Sequence, residues 1–206
     1  MRHPFQYFLL TIAMLAVAIV LSAADSIRQI DFNNFAYPWG NPGGPLERWH
    51  WISSSPSTRV RLTDGTHRFV REIEPGDNPS NSPLLRFGSV NYGDLERDNA
   101  EEAAVVLNYS GGGTANWEYL YIFKLDNGAP RLRAWLESGS RADGGLVSVK
   151  IEDRLLVLDF ADAERRIGDC CSEGYIRVRY SWKDGHFIES GQRERGNLKL
   201  GIRPTQ

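Results

Sequence analysis

The sequence predicts a mainly β protein, an antiparallel meander of hairpins forming a sandwich or an open curved sheet behind an N-terminal signal helix. Three observations carry this expectation. Short turn signals, Asp64-Gly65, Asn127-Gly128 and Asp184-Gly185, separate runs in which apolar and polar side chains alternate. From Phe87 onward such signals recur every roughly 8 to 15 residues, the spacing of an all-β chain. Gly and Pro number 20 and 10 in 206 residues, which favours turns over long helices, and only Asp162–Ile167 reads as a helical turn.

Taken in order, Arg59–Thr63 and His67–Ile73 alternate as strands around Asp64-Gly65. Leu84–Tyr92 is the next strand. Ala103–Tyr109 is a continuous apolar run suited to a central strand. Glu118–Leu125 sets Tyr119, Tyr121 and Phe123 against Leu120, Ile122 and Lys124. Arg131–Glu137 follows as its partner, with Leu132, Ala134 and Leu136 on one face. Leu146–Ile151 and Leu155–Phe160 form a hairpin across Glu152-Asp153-Arg154, and Tyr175–Trp182 and His186–Ser190 form another. These elements give one exported domain over 25–191. Its part 25–83 is irregular and rich in aromatics and Pro, its part 84–191 is the meander, and 192–206 is a loose tail.

Composition narrows the function classes. The 24 basic and 26 acidic residues nearly cancel, so no strongly basic surface for nucleic acid is expected. The chain opens Met1-Arg2-His3, runs apolar from Phe5 to about Leu21 and exits through Ser22-Ala23-Ala24. That layout is a secretory signal peptide over 1–24 with cleavage after Ala24. The competing reading is an uncleaved membrane anchor over residues 5–24. Either way the protein is expected to be exported, to a periplasmic or extracellular location.

Between Asn34 and Trp51 lie Phe35, Tyr37, Trp39, Trp49 and Trp51 among Gly and Pro. Such a segment is either a covering loop packed on a sheet or a binding surface made by Tyr37, Trp39, Trp49 and Trp51. The partner expected for such a surface is an envelope protein or a glycan.

The stretch 93–102 places Asp94, Glu96, Asp98 and Glu102 at alternating loop positions, with the carbonyl of Ala100 as a further oxygen. Calcium takes 6–8 oxygen ligands, and an acidic loop anchored by an apolar strand can wrap them around one ion. Gly93–Leu107 resembles the FG-GAP/VCBS type of calcium-loop hairpin, D-x-[DN]-G-D-G-x-x-[DE] followed by an apolar strand. The resemblance implies a bound Ca2+ that stabilises the fold. Glu96 stands where the motif has a shorter side chain, and Arg97 and Asn99 stand where it has Gly. The other reading is an acidic turn that has lost its ion, with Arg97 balancing the charge.

Cys170 and Cys171 are the two cysteines of the chain, and they are adjacent. In an oxidising compartment they can close a vicinal disulfide. Two reduced buried thiols, and intermolecular pairing or redox work, are the alternatives, and Asp169 and Glu173 disfavour a redox-active thiolate. The acidic loop, Gly168-Asp169-Cys170-Cys171 and Tyr180-x-Trp182-x-x-Gly185-x-Phe187 together resemble exported bacterial domains akin to LppP/LprE-type lipoproteins, over about Val90–Phe187. That resemblance implies a β-rich envelope domain and no particular activity.

Neither G-x-S-x-G nor H-E-x-x-H occurs, and Gly111-Gly112-Gly113-Thr114 lacks the Lys and the helix of a phosphate loop. His67 and His186 follow hairpin turns and read as surface residues. The expectation is a non-catalytic binding or structural module. The alternative is a secreted hydrolase acting on polysaccharide or peptide through paired carboxylates.

Overall fold

The computed structural model describes residues 26–40, 51–52, 55–70, 82–112, 116–140, 143–167 and 171–198. The expected signal segment 1–24, Trp49, Cys170 and residues 199–206 lie outside them. The chain is mainly β, built from antiparallel sheets joined largely by hairpins.

Ala36–Pro38 (β1) and Arg59–Arg61 (β2) pair as a small ribbon. Thr66–Arg68 (β3), Leu84–Gly93 (β4), Glu102–Ser110 (β5), Asn116–Asp126 (β6) and Ala129–Ser140 (β7) then form a five-stranded sheet in sequence order. Leu146–Glu152 (β8) and Leu155–Ala161 (β9) begin a second sheet. Arg166–Ile167 (β10) and Cys171–Ser172 (β11) make a short ribbon. Gly174–Lys183 (β12) returns beside β9, and its far edge is shared by His186–Glu189 (β13) and Glu194–Asn197 (β14).

The hairpin turns follow from their residues. Asp64-Gly65, Asn127-Gly128 and Asp184-Gly185 have positive φ at both central positions, as the tight turn matching strand twist requires. Asp153-Arg154 adopts the same left-handed pair without a glycine, at φ 52° and 62°.

Two cores lie on opposite faces of the first sheet. Strand β5 is buried along both: Ala104 and Val106 face one core, Ala103, Val105 and Leu107 the other. The first core lies between the sheets, where Leu120, Ile122 and Leu136 meet Leu156, Leu158, Phe160 and Val178. The second is closed by the N-terminal segment, which brings Ile27, Phe32, Tyr37, Val60 and Leu62 onto Tyr121, Phe123 and Trp135. Trp51 and Ile52 join these two layers. Ile52 exchanges both backbone hydrogen bonds with Trp135 on β7, at 2.9 and 3.0 Å. Trp51 packs into the first core and Ile52 against the second, the alternation of an extended backbone.

Four expectations are corrected in detail. Leu132 does not share a face with Ala134 and Leu136: a bulge at Arg133 shifts the register, so Leu132 packs on the second core. The strand beginning at Arg59 pairs with β1, and beyond the Asp64-Gly65 turn only the Thr63–Thr66 bridge joins its two arms. The helical turn after Asp162 is a 3-10 turn, Ala163–Arg165, capped by the Asp162 carboxylate. Part of the expected loose tail is ordered, because Glu194–Asn197 pairs with β12 and Arg179 grips Glu194 at 2.7 and 3.2 Å.

Candidate functional site

The acidic loop, residues 94–101, joins β4 to β5 at one end of the first sheet. Buried Leu95 anchors it in the inter-sheet core. Asp94 organises it from within, accepting the amides of Asp98 and Asn99 at 3.1 and 3.2 Å, while Asp98 accepts the amide of Ala100 at 3.1 Å. Glu102, fully buried as the first residue of β5, accepts the amides of Leu95 and Glu96 at 2.6 and 3.1 Å. Arg97 and Asn99 have φ of 62° and 66°, the left-handed backbone that glycine adopts most easily.

A cation from the protein itself stands among these carboxylates. Lys124 lies directly opposite Glu102 in the register of β5 and β6. Its Nζ is 2.8 Å from Glu96 Oε2, 2.7 Å from Asp98 Oδ2 and 2.9 Å from Glu102 Oε1. The side chain is 7% exposed. Burial opposes its charge, but hydrogen bonds to Asp98 and Glu96 and the close contact with Glu102 outweigh that and hold the ammonium protonated well above the ordinary lysine range. Arg133, at the bulge, reaches Glu96 at 3.0 Å, Arg154 reaches Asp94 at 3.4 Å, and Arg28 pairs with Glu101 at 2.6 Å.

The five proposed ion ligands are thus brought into one loop, with Ala100 at its exposed end. Calcium bound by Glu96, Asp98 and Glu102 would require the space that Lys124 Nζ fills, because its oxygen contacts are about 2.3–2.6 Å. The residues present suit an ammonium.

The aromatic residues singled out in the sequence are distributed over the molecule. Tyr37 is fully buried in the second core, where its hydroxyl donates to the Phe32 carbonyl at 2.7 Å. Trp51 lies between the sheets, 4.4 Å from the Phe187 ring centroid. These two therefore do not share a surface with Trp39, and Trp49 lies outside the described residues.

Trp39 instead joins rings that sequence reading left as strand residues. Its ring centroid is 4.9 Å from Tyr119, 5.4 Å from Tyr109 and 5.3 Å from Phe69, and Tyr109 is 5.9 Å from Trp117. All five side chains are half-buried. The cluster sits at the end of β5 and β6 opposite the acidic loop, about 20–27 Å away by strand rise. Glu137 faces Tyr119 across β6 and β7. Burial pushes its carboxyl up, and a hydrogen bond with the Tyr119 hydroxyl works against that shift.

Other buried acids are tied into the fold. Glu118 accepts the Ser138 hydroxyl at 2.8 Å and the Leu146 amide at 3.2 Å. Asp159 is held by Arg177 and Ser148. The His67 and His186 rings each contact a backbone carbonyl, of Arg61 and Asp184. Cys171 begins β11 on an exposed surface. Among the described residues no helix is long and apolar enough to cross a membrane.

Comparison of the chain with protein-family models, curated proteins and solved structures finds no match. Sequence reading missed Lys124, although a signal was there. The alternation that faces Leu120 and Ile122 inward carries Lys124 inward too, and an inward lysine needs an acidic partner. The Trp39 cluster had no comparable signal, because its rings come from four separate segments.

Proposed function

We propose that the protein is an exported, non-catalytic binding module whose ligand face is the cluster of Trp39, Phe69, Tyr109, Trp117 and Tyr119, and whose ligand is a glycan. The carrying observation is that these half-buried rings gather beside the Glu137 carboxyl at one end of the first sheet. Rings of this kind offer flat apolar area to the C–H faces of sugars, and a carboxyl or phenol among them can hydrogen-bond hydroxyls. Export rests on the leader-like segment Phe5–Ala24. The non-catalytic reading is supported by Glu102, Glu118 and Asp159, whose carboxylates serve backbone amides, hydroxyls or cations of the protein.

The test is titration of the folded protein with a panel of soluble β-linked oligosaccharides, followed by tryptophan fluorescence and calorimetry. Saturable binding, weakened at least tenfold by Trp117→Ala with the fold intact, is expected. Absence of binding across the panel by folded protein would overturn the glycan assignment.

A hydrolase reading rests on Glu137, since a carboxyl raised by burial suits a general acid. It needs a second carboxylate on the same face, and neighbouring Glu118 is on the inter-sheet face, bound to Ser138 and Leu146. Turnover of the same panel, abolished by Glu137→Gln, would favour it.

A further inference from the structure

We propose that Lys124 is the resident cation of the acidic loop: its tethered ammonium holds the position of a calcium ion, so the intact protein takes up no calcium there, whereas the loop without Lys124 becomes a calcium site. Three oxygens from three carboxylates converge on one nitrogen at 2.7–2.9 Å, and two of them, Glu96 Oε2 and Asp98 Oδ2, accept hydrogen bonds from it. The oxygens come from both sides of the loop, Glu96 and Asp98 from its turn and Glu102 from β5. The cation comes from a third segment, β6, and is almost wholly buried.

The loop is also held by contacts that do not involve that charge. Leu95 pins it to the core, Asp94 holds the amides of Asp98 and Asn99, and the second oxygen of Glu102 holds the amides of Leu95 and Glu96. Shortening Lys124 therefore leaves three carboxylate oxygens facing one point, where water can complete the shell of a hard divalent ion. In the intact chain a divalent ion would have to displace an ammonium that has no other described carboxylate within ion-pair reach, leaving a buried charge unpaired. The local charge is already balanced: Asp94, Glu96, Asp98, Glu101 and Glu102 face Lys124, Arg133, Arg154 and Arg28, with Arg97 in the same loop.

The experiment compares full-length protein with Lys124→Ala in EDTA and in millimolar calcium, by thermal denaturation and calorimetric titration. The intact protein is expected to melt at the same temperature in both and to give no binding heat. In EDTA, Lys124→Ala is expected to melt about 6–20 °C lower, and calcium is expected to restore most of that loss with saturable uptake. Uptake by the intact protein that Asp98→Asn abolishes, or folded Lys124→Ala that takes up no calcium, would overturn the proposal. If Lys124→Ala folds in neither condition, Lys124→Ser, which keeps all three carboxylates and offers them a neutral donor, takes its place with the same two readings.

Discussion

The guanidinium of Arg177 meets both carboxylate oxygens of Asp159, at 2.7 and 2.9 Å, on the outward face of the second sheet. Ser148, on the other neighbouring strand, donates to the same carboxylate at 2.8 Å. One acid on β9 thus ties together β8, β9 and β12, each partner directly across from it in register. Asp159→Ala is expected to cost about 2–3 kcal/mol, because it leaves Arg177 half-covered without its partner. Urea denaturation at neutral pH measures this, and a loss below about 0.5 kcal/mol would refute it.

Tyr175 and Gly196 form a second cross-strand pair on that sheet. A Cβ at Gly196 would lie 2.4–2.6 Å from the tyrosine ring, so the ring covers bare backbone. Gly196→Ala is expected to destabilise by about 1–3 kcal/mol, and by much less in a Tyr175→Ala background. Equal losses in both backgrounds in a double-mutant cycle would show that the clash is not the cause.

Arg97 occupies left-handed backbone that glycine enters without strain. Arg97→Gly is expected to raise stability by up to about 1 kcal/mol, the relief of strain exceeding the added freedom of the unfolded chain. A fall in the denaturation midpoint would instead assign Arg97 a charge role in the loop.

Acid should weaken the loop with a definite sign. Hydrogen bonding from Lys124 is the chief cause holding the Asp98 carboxyl below its ordinary value. A group whose folded pKa is depressed contributes stability above its unfolded pKa, and that contribution fades as pH falls through the folded value. Midpoints measured from neutral pH down through the carboxylate range should therefore fall more steeply for the intact protein than for Asp98→Asn. Identical profiles would remove Asp98 from the acid response.

Local signals in the sequence were sufficient wherever neighbours in the chain are neighbours in space. The turns at Asn127-Gly128 and Asp184-Gly185, the central strand Ala103–Leu107 and the acidic loop are of this kind. What escaped was set by distant partners. The extra residue at Arg133 turns Leu132 to the other face, and nothing within Arg131–Glu137 announces it. Glu194–Asn197 is strand because β12 offers it an edge. Tyr37 and Trp51 sit close in sequence yet enter cores on opposite faces, because Tyr37 is held by β1 in the second core while Trp51 stands next to Ile52, which pairs with the edge of β7.

The Ile52–Trp135 bridge has a consequence for self-association. Without its bridge to Ile52, β7 would present unpaired amides and carbonyls along the margin of the first sheet, a template on which another copy could add a strand. A fragment lacking the chain before residue 55 retains β2–β14 but loses β1 and that seal, and with Ile27, Phe32 and Tyr37 gone it uncovers Tyr121, Phe123 and Trp135. Such a fragment is expected to aggregate in sedimentation while the full chain stays dispersed, so the aromatic N-terminal wrap serves as the molecule's own guard against polymerisation.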